Sequence, residues 1–156
     1  MRLRILWVGR TKNTSIRALC TDYAGRLGHF LGCEIIETRD LARSRSLHGQ
    51  ALLSAEAEEI ERYLPEGCRM IVLDAAGKQM SSPELARYLE DELTRGTRAL
   101  TFVIGSPEGL DRRIRERARL RLSLGKMTWT HEMCRVLLLE QLYRAMCIIR
   151  NIPYHK

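Results

Sequence analysis

"TFVIGSPEGLD" (residues 101–111) is the stretch that decides the fold class of this sequence. A short, mostly apolar run leads directly into a turn bracketed by Gly105 and Gly109, and a strongly basic segment follows. Such a run is typical of a strand buried on both faces, and glycines at its end indicate a loop that holds a ligand. The turn matches neither a Walker loop nor a G-x-G-x-x-G fingerprint, so the motif alone leaves the ligand open.

Strand patterns and helix patterns alternate on both sides of this stretch. We predict strands at residues 2–8, 33–38, 69–74 and 99–104, and a fifth strand or an extended loop at 122–129. We predict helices at residues 15–30, 51–64, 111–120 and 131–149, and a further helix with Ser82 as its N-cap. Repeated strand–helix units predict a three-layer α/β fold, in which helices cover both faces of a mainly parallel sheet. We interpret residues 1–156 as a single domain.

The chain is basic, with a formal net charge of +7 and a pI near 9.5. This excess favours a polyanionic partner, with nucleic acid first and an acidic membrane surface second, although a basic protein without such a partner remains an alternative. Six arginines lie within residues 112–121, where their mutual repulsion on one helix favours contact with phosphate. Residues 38–49 are also rich in arginine and have almost no apolar side chains to bury. This composition fits a solvated loop and an RNA-binding arm equally well.

Composition argues against several other classes of protein. The apolar runs are too short to span a bilayer and the sequence opens without a signal-peptide pattern, so we expect a cytoplasmic protein with no membrane partner. The five cysteines include no C-x-x-C pair, and no pair of histidines has metal-ligand spacing. We therefore expect neither a disulfide framework nor a metal site.

The last predicted helix has an unusual distribution of polar residues. Arg135, Glu140, Gln141 and Arg144 point in different directions around the helical wheel, and apolar residues fill the gaps between them. A helix on the surface of a monomer normally has one polar stripe. This pattern predicts burial on more than one side, and we interpret it as a homodimer contact.

The polar residues suited to chemistry lie late in the chain. They are Glu108 in the turn, His131 and Arg135 in the last helix, and Tyr154 and His155 in the tail. A lone histidine near a terminus is usually a solvated side chain, but Pro153 stiffens this tail directly after a buried helix. We therefore take His155 as the stronger candidate and interpret His131 and Glu140 as structural.

Four motifs resemble one known family when they are taken together. "IGSPEGLD", "LSLGKMTW", "RVLLLEQLYRA" and "NIPYHK", in this order and at these separations, closely resemble the bacterial ribosomal RNA large-subunit methyltransferase H family. Its members are SPOUT-class enzymes, and the resemblance therefore implies a SPOUT-type fold with a C-terminal trefoil knot. Two mild departures are Ser106, where a second glycine is common, and Lys156, where arginine is frequent. Neither touches the chemistry that the family implies.

The resemblance implies that S-adenosyl-L-methionine binds in a pocket made by three loops at the carboxyl ends of parallel strands. Carried over to this sequence, the cofactor-binding residues are Leu73, Gly105, Leu124, Gly125, Lys126, Met127, Thr128 and Trp129. These residue types suit the task, because glycines allow close approach of the backbone and apolar side chains can surround an adenine. Glu108 is a candidate partner for the cationic sulfonium group or a stabiliser of the turn.

The reaction implied by the resemblance is methylation of N3 of a pseudouridine in 23S rRNA of the assembled ribosome. The imide proton on N3 must be removed, and the charge that spreads to the flanking carbonyl oxygens must be stabilised. We assign His155 as base or proton relay, Arg135 to the carbonyl oxygens, and Tyr154 to stacking on or orienting the base. The family also implies a homodimer whose active site combines two chains.

Three other functions remain open from the sequence. One is a SPOUT methyltransferase that acts on another RNA such as tRNA, and mapping of the modified nucleotide would separate it from the first. Another is a non-enzymatic ribosome-binding or assembly factor, whose RNA binding would not respond to S-adenosylmethionine. The last is a plain nucleotide-binding α/β protein, which requires the late motifs to be coincidental.

Overall fold

A computed structural model describes residues 1–154 of the chain, so His155 and Lys156 lie outside the described residues. Five strands alternate with helices. The strands are β1 (Arg2–Val8), β2 (Gly32–Thr38), β3 (Arg69–Gln79), β4 (Ala99–Ile104) and β5 (Leu120–Ser123). The helices are α1 (Thr14–Gly28), α2 (Leu41–Arg45), α3 (Gly49–Tyr63), α4 (Ser82–Thr94), α5 (Arg112–Arg117) and α6 (His131–Ile149).

The sheet has the strand order β2-β1-β4-β3-β5, and every neighbouring pair of strands is parallel. Alternate residues of β1 enter separate cores on the two faces, with Ile5 and Trp7 on one side and Leu6 and Val8 on the other. The first core also contains residues of α1, α4 and α6, and the second contains residues of α3 and α5. The predicted parallel sheet with helices on both faces is therefore confirmed.

Several predicted boundaries were wrong by a few residues. Ser81, rather than Ser82, is the N-cap of α4, where it forms a capping box with Glu84. The predicted strand at 69–74 continues to Gln79, with an irregular register between Leu73 and Lys78 where it pairs with β5. The predicted helix at 111–120 ends at Arg117, because the chain becomes extended and enters β5.

Helix α6 is buried on several sides, as predicted, but its own chain provides that burial. It packs against the sheet and against helices α1 and α4, and Leu138, Leu139, Leu142 and Met146 are fully buried. The apolar composition of α6 is thus explained within one chain. It is not in itself an indication of a homodimer.

The two basic segments also differ from expectation. Residues 38–49 include the short helix α2, whose first residue, Leu41, is buried, so this segment does have something to bury. In the second segment, Arg112 pairs with Glu116 and Arg121 with Asp74. Part of the repulsion among these arginines is therefore relieved within the chain, which weakens the argument for phosphate contact. Among residues 1–154, no helix combines the length and apolar character needed to cross a membrane.

Candidate active site

A cavity of about 200 Å³ lies at the carboxyl ends of β3, β4 and β5, which are adjacent in the sheet. Ligands of open parallel sheets characteristically bind at this edge, where the loops that follow the strands meet. The cavity is lined by the ends of these strands, by the turn after β4, by residues 124–129 and by the first turn of α6. All of the predicted cofactor-binding residues line it except Lys126, whose side chain is exposed to solvent.

The turn after β4 requires glycine at position 105 for a steric reason. A Cβ atom at Gly105 would lie 2.2 Å from the carbonyl oxygen of Gly109 and 2.8 Å from Cγ of Leu110. The turn is closed on itself by a hydrogen bond of 2.8 Å from the Gly109 amide to the Ser106 carbonyl. The backbone of the turn therefore folds tightly on itself, and Gly105 places no side chain in the cavity. A ligand there can contact main-chain groups directly.

The loop between β5 and α6 forms the opposite wall of the cavity. Gly125 has a φ of +120°, a conformation that residues with a side chain rarely adopt, and the Ser123 hydroxyl bonds to both its amide and its carbonyl. Beyond this turn, Met127 is 72% exposed and Trp129 is 37% exposed. The cavity thus has an apolar rim that is open to solvent, as expected for a site that admits an adenosyl group.

Sequence reasoning missed several residues that line this cavity. They are Asp74, Ala75, Ile104, Ser106, Pro107, Leu122, Ser123, His131 and Cys134. Most of them directly adjoin a predicted residue or end a predicted strand. Because ligands of parallel sheets bind at the carboxyl ends of the strands, these positions could have been predicted from the sequence. His131 was interpreted as structural, yet it lies in the wall. Burial and the positive charge of Arg135 lower the pKa of His131, which favours the neutral imidazole at neutral pH.

Glu108 does not line the cofactor cavity. Its carboxylate instead accepts a hydrogen bond of 2.9 Å from the Gly49 amide at the start of α3. Of the two roles considered for Glu108, this contact supports stabilisation of the turn. This hydrogen bond also connects the turn after β4 to helix α3, which packs on the face of the sheet opposite α6.

Arg135 is completely buried, with no exposed side-chain surface. One terminal nitrogen donates to the Thr11 hydroxyl at 2.7 Å and the other to the Val8 carbonyl at 2.8 Å. The guanidinium carbon lies 4.9 Å from the ring centre of Trp7, within range of a cation–π contact. Burial lowers the pKa of Arg135, and the nearby carboxylates of Glu132 and Glu37 oppose that fall.

This position contradicts the expectation that Arg135 contacts the carbonyl oxygens of a substrate. Both terminal nitrogens are used inside the protein, and no part of the side chain reaches the surface. Arg135 instead fixes the loop between β1 and α1 against the first turn of α6. Glu132 reinforces the same connection, because its carboxylate accepts hydrogen bonds from the amides of Lys12 and Asn13.

Tyr154 lies at the far end of α6, and its side chain is engaged within its own chain. Its ring packs edge-on against Tyr143 at 4.8 Å between ring centres, and the Arg144 guanidinium lies 4.8 Å from the ring centre. Its hydroxyl lies 3.2 Å from the Glu140 carboxylate and 3.3 Å from the Tyr23 hydroxyl. Helix α6 contains 19 residues and therefore separates Tyr154 from the cofactor cavity of the same chain by roughly 28 Å.

The structure therefore brings the predicted cofactor residues together but does not bring Arg135 and Tyr154 together. Arg135 is buried near the start of α6 and Tyr154 follows its end. His155, the predicted base, lies outside the described residues. The catalytic assignment made from the sequence is thus revised for Arg135, whereas the roles of Tyr154 and His155 stay predictions.

We predict that Arg135→Met lowers the free energy of unfolding by about 1–3 kcal/mol, because it leaves the Val8 carbonyl and the Thr11 hydroxyl without their buried donor. Urea denaturation measures the change, and Arg87→Met on the exposed face of α4 is the matched control. Unchanged stability together with a loss of catalytic turnover would instead favour the substrate contact that burial contradicts.

Comparison with known proteins agrees with this geometry. Residues 1–155 match the family described as "Predicted SPOUT methyltransferase". The chain is 43% identical over 155 residues to the ribosomal RNA large subunit methyltransferase H of Geotalea daltonii, and the match covers 99% of each chain. It is 40% identical over 159 residues to the protein of the same name from Allorhizobium ampelinum, with 100% of this chain and 99% of the relative covered.

A solved structure supports the fold separately. The probable methylase family protein from Haemophilus influenzae superimposes with a TM-score of 0.55 over 99% of this chain and 70% of that chain. At 16% sequence identity, this likeness concerns the fold alone. Taken with the full-length matches, it means that the chain belongs to the ribosomal RNA large-subunit methyltransferase H family of SPOUT methyltransferases.

Proposed function

We propose that this protein uses S-adenosylmethionine to methylate N3 of a pseudouridine in 23S rRNA of the assembled ribosome. The observation that carries the proposal is the cavity at the ends of β3, β4 and β5, which has the glycine turn and the apolar rim that an adenosyl cofactor needs. The full-length relatives, whose names describe methylation of large-subunit ribosomal RNA, support the choice of substrate.

Within this proposal, the residues of the cavity bind the cofactor and orient its methyl group. S-adenosylmethionine supplies an electrophilic methyl group when it is bound. Leu73, Leu124 and Trp129 shield the adenosyl group from water, and main-chain groups around Gly105 and Gly125 contact it closely. Holding the donor in line with its acceptor converts a bimolecular reaction into an effectively unimolecular one. The residues that move the imide proton must then act on the acceptor side of the cavity.

The tail is proposed to act in a second chain of a homodimer. Tyr154 is separated from its own cofactor cavity by the length of α6. Met127, Trp129 and Met133, around the cavity, are apolar and at least one-third exposed, and Ile152 of the tail is too. Packing these two apolar regions together across an interface would bring Tyr154 and His155 of one chain to the cofactor of the other. His155 remains our candidate base or proton relay at this composite site.

The finer features of the fold are also proposals. Membership of the SPOUT family supports a C-terminal trefoil knot. The match over residues 1–155 supports a single domain for the whole sequence of 156 residues.

The cofactor site is tested by Gly105→Ala. The added methyl group would collide with the backbone of Gly109, so the turn must shift and the affinity for S-adenosylmethionine should fall by at least about tenfold. Isothermal titration calorimetry measures the dissociation constant. Gly25→Ala on α1, where a Cβ atom meets nothing within 4 Å, is the control. Unchanged affinity in a folded Gly105→Ala protein would exclude this turn from the cofactor site.

The reaction is tested by transfer of labelled methyl from S-adenosylmethionine to ribosomes that lack the modification. We expect label in 23S rRNA with the wild-type protein, much less with His155→Ala, and little on free 23S rRNA, because selectivity would come from the shape of the particle. Label in tRNA instead would favour the alternative SPOUT function. Binding of cofactor without any transfer to RNA would favour a non-enzymatic factor.

The same assay tests the composite site. Co-expressed Gly105→Ala and His155→Ala chains should form mixed dimers that contain one cavity with intact glycine beside one intact tail. At a concentration of S-adenosylmethionine too low for Gly105→Ala to bind it, such a mixture should recover roughly a quarter of the wild-type rate, although each variant alone is then nearly inactive. No recovery in mixed dimers would place the whole site within one chain.

A further inference from the structure

A second cavity of about 200 Å³ adjoins the cofactor cavity at the same edge of the sheet. It lies over the ends of β1 and β4, between the β1–α1 loop, the segment that leads into α2, helix α3 and the turn after β4. Ser106, Pro107 and His131 line both cavities. A ligand in the second cavity would therefore lie directly beside a cofactor bound in the first.

The second cavity contains a carboxyl group that packing does not explain. Glu56 is only 3% exposed, and it lies on the face of α3 that buries Leu52 and Ile60. A carboxyl on such a face is costly unless it has a polar partner or a task. The buried Ser106 hydroxyl lines the same cavity close to the Glu56 carboxyl, although it has no hydrogen bond of normal geometry within residues 1–154. Two neighbouring polar groups are thus available to a ligand in this space.

The rim of the second cavity carries the charges that suit a nucleotide. Arg10 and Lys12 of the β1–α1 loop line it, and both are exposed. The same two residues also line a wider groove of about 490 Å³ together with Arg17, Arg39 and Arg43, and these cations outnumber the two carboxylates there, Glu37 and Asp40. A basic groove that leads to a small polar cavity fits an RNA backbone with one nucleotide turned inward.

We propose that this second cavity receives the base of the target nucleotide, flipped out of the RNA, and that Glu56 accepts its imide proton, which leaves His155 the role of proton relay. This inference rests on the proposed function and names the acceptor side of that same site. The shared wall of the two cavities is the geometric reason, because it sets the base beside the methyl donor. Glu56 and Ser106 then contact the edge of the base, and Arg10 and Lys12 contact its phosphates.

These groups account for the proton and the electron pairs that move in the reaction. The N3–H bond breaks and its proton passes to the Glu56 carboxylate, while the N3 electron pair forms the new bond to the methyl carbon. The carbon–sulfur bond breaks with its electrons left on sulfur, so the sulfonium becomes a neutral thioether. Glu56 later releases the proton to solvent through the rim of the cavity, and the net result is one methyl transferred and one proton released.

The acid strength of Glu56 suits this role. Burial raises its pKa to about 7, the Ser106 hydroxyl opposes the rise, and the negative charges of Glu108 and Asp40 add to it. A general base works best when its pKa lies near the pH of the reaction. The charged or titratable groups that face this cavity beside Glu56 are Arg10, Lys12, Asp40, Glu108 and His131.

The test compares Glu56→Gln with Glu58→Gln, an exposed neighbour on the same helix. We expect the single-turnover rate of Glu56→Gln on unmodified ribosomes to fall by at least about 100-fold, whereas Glu58→Gln stays close to wild type. The wild-type rate should rise with pH through about 7 as Glu56 loses its proton, and this rise should be absent in Glu56→Gln. Calorimetry should give both variants an affinity for S-adenosylmethionine close to that of the wild type.

Each outcome decides between the role and its alternatives. If the wild-type protein transfers no methyl to ribosomes, the proposed function fails and this inference fails with it. If the wild type is active and Glu56→Gln keeps its rate, only the inference about Glu56 is overturned. A slower Glu56→Gln that keeps the wild-type pH profile, or that loses cofactor affinity and thermal stability in parallel, would likewise overturn it, since Glu56 would then support the turn and not the proton transfer.

Discussion

The buried guanidinium of Arg135 is the interaction on which the geometry of the whole site depends. It joins the end of β1, the β1–α1 loop and the first turn of α6 through its bonds to Val8 and Thr11 and its contact with Trp7. A buried charge is costly unless most of its donors have partners. Its Nε alone has no partner within the described chain. The surrounding loop is therefore held in one position.

With the β1–α1 loop held against α6, the two cavities lie side by side. Helix α6 begins directly after the loop that lines the cofactor cavity, and the β1–α1 loop forms a wall of the second cavity. His131 and Ser106 stand between them. One buried cation thus connects the helix that borders the first cavity to the loop that carries the basic residues Arg10 and Lys12. In this account, a core interaction serves the active site without any contact with a ligand.

Much of this was accessible from the sequence, and the failures have physical causes. The apolar strands, the glycine turn and the last helix are local patterns, so the sheet was predicted well, and most of the residues expected to bind the cofactor do line one cavity. Arg135 was misjudged because its partners lie more than a hundred residues away along the chain. Glu56 escaped notice because it stands among four glutamates on one helix, and only the packing of α3 shows that it is buried.

The most direct test of the account is to map the methylated atom. The protein would be incubated with S-adenosylmethionine and unmodified ribosomes, and the nucleosides of the 23S rRNA would be analysed by mass spectrometry with an N3-methylpseudouridine standard. The account predicts one new methylated nucleoside that coincides with this standard, because the second cavity offers a proton acceptor to an imide nitrogen. A methyl group on a ribose hydroxyl, or on an RNA outside the large subunit, would contradict it.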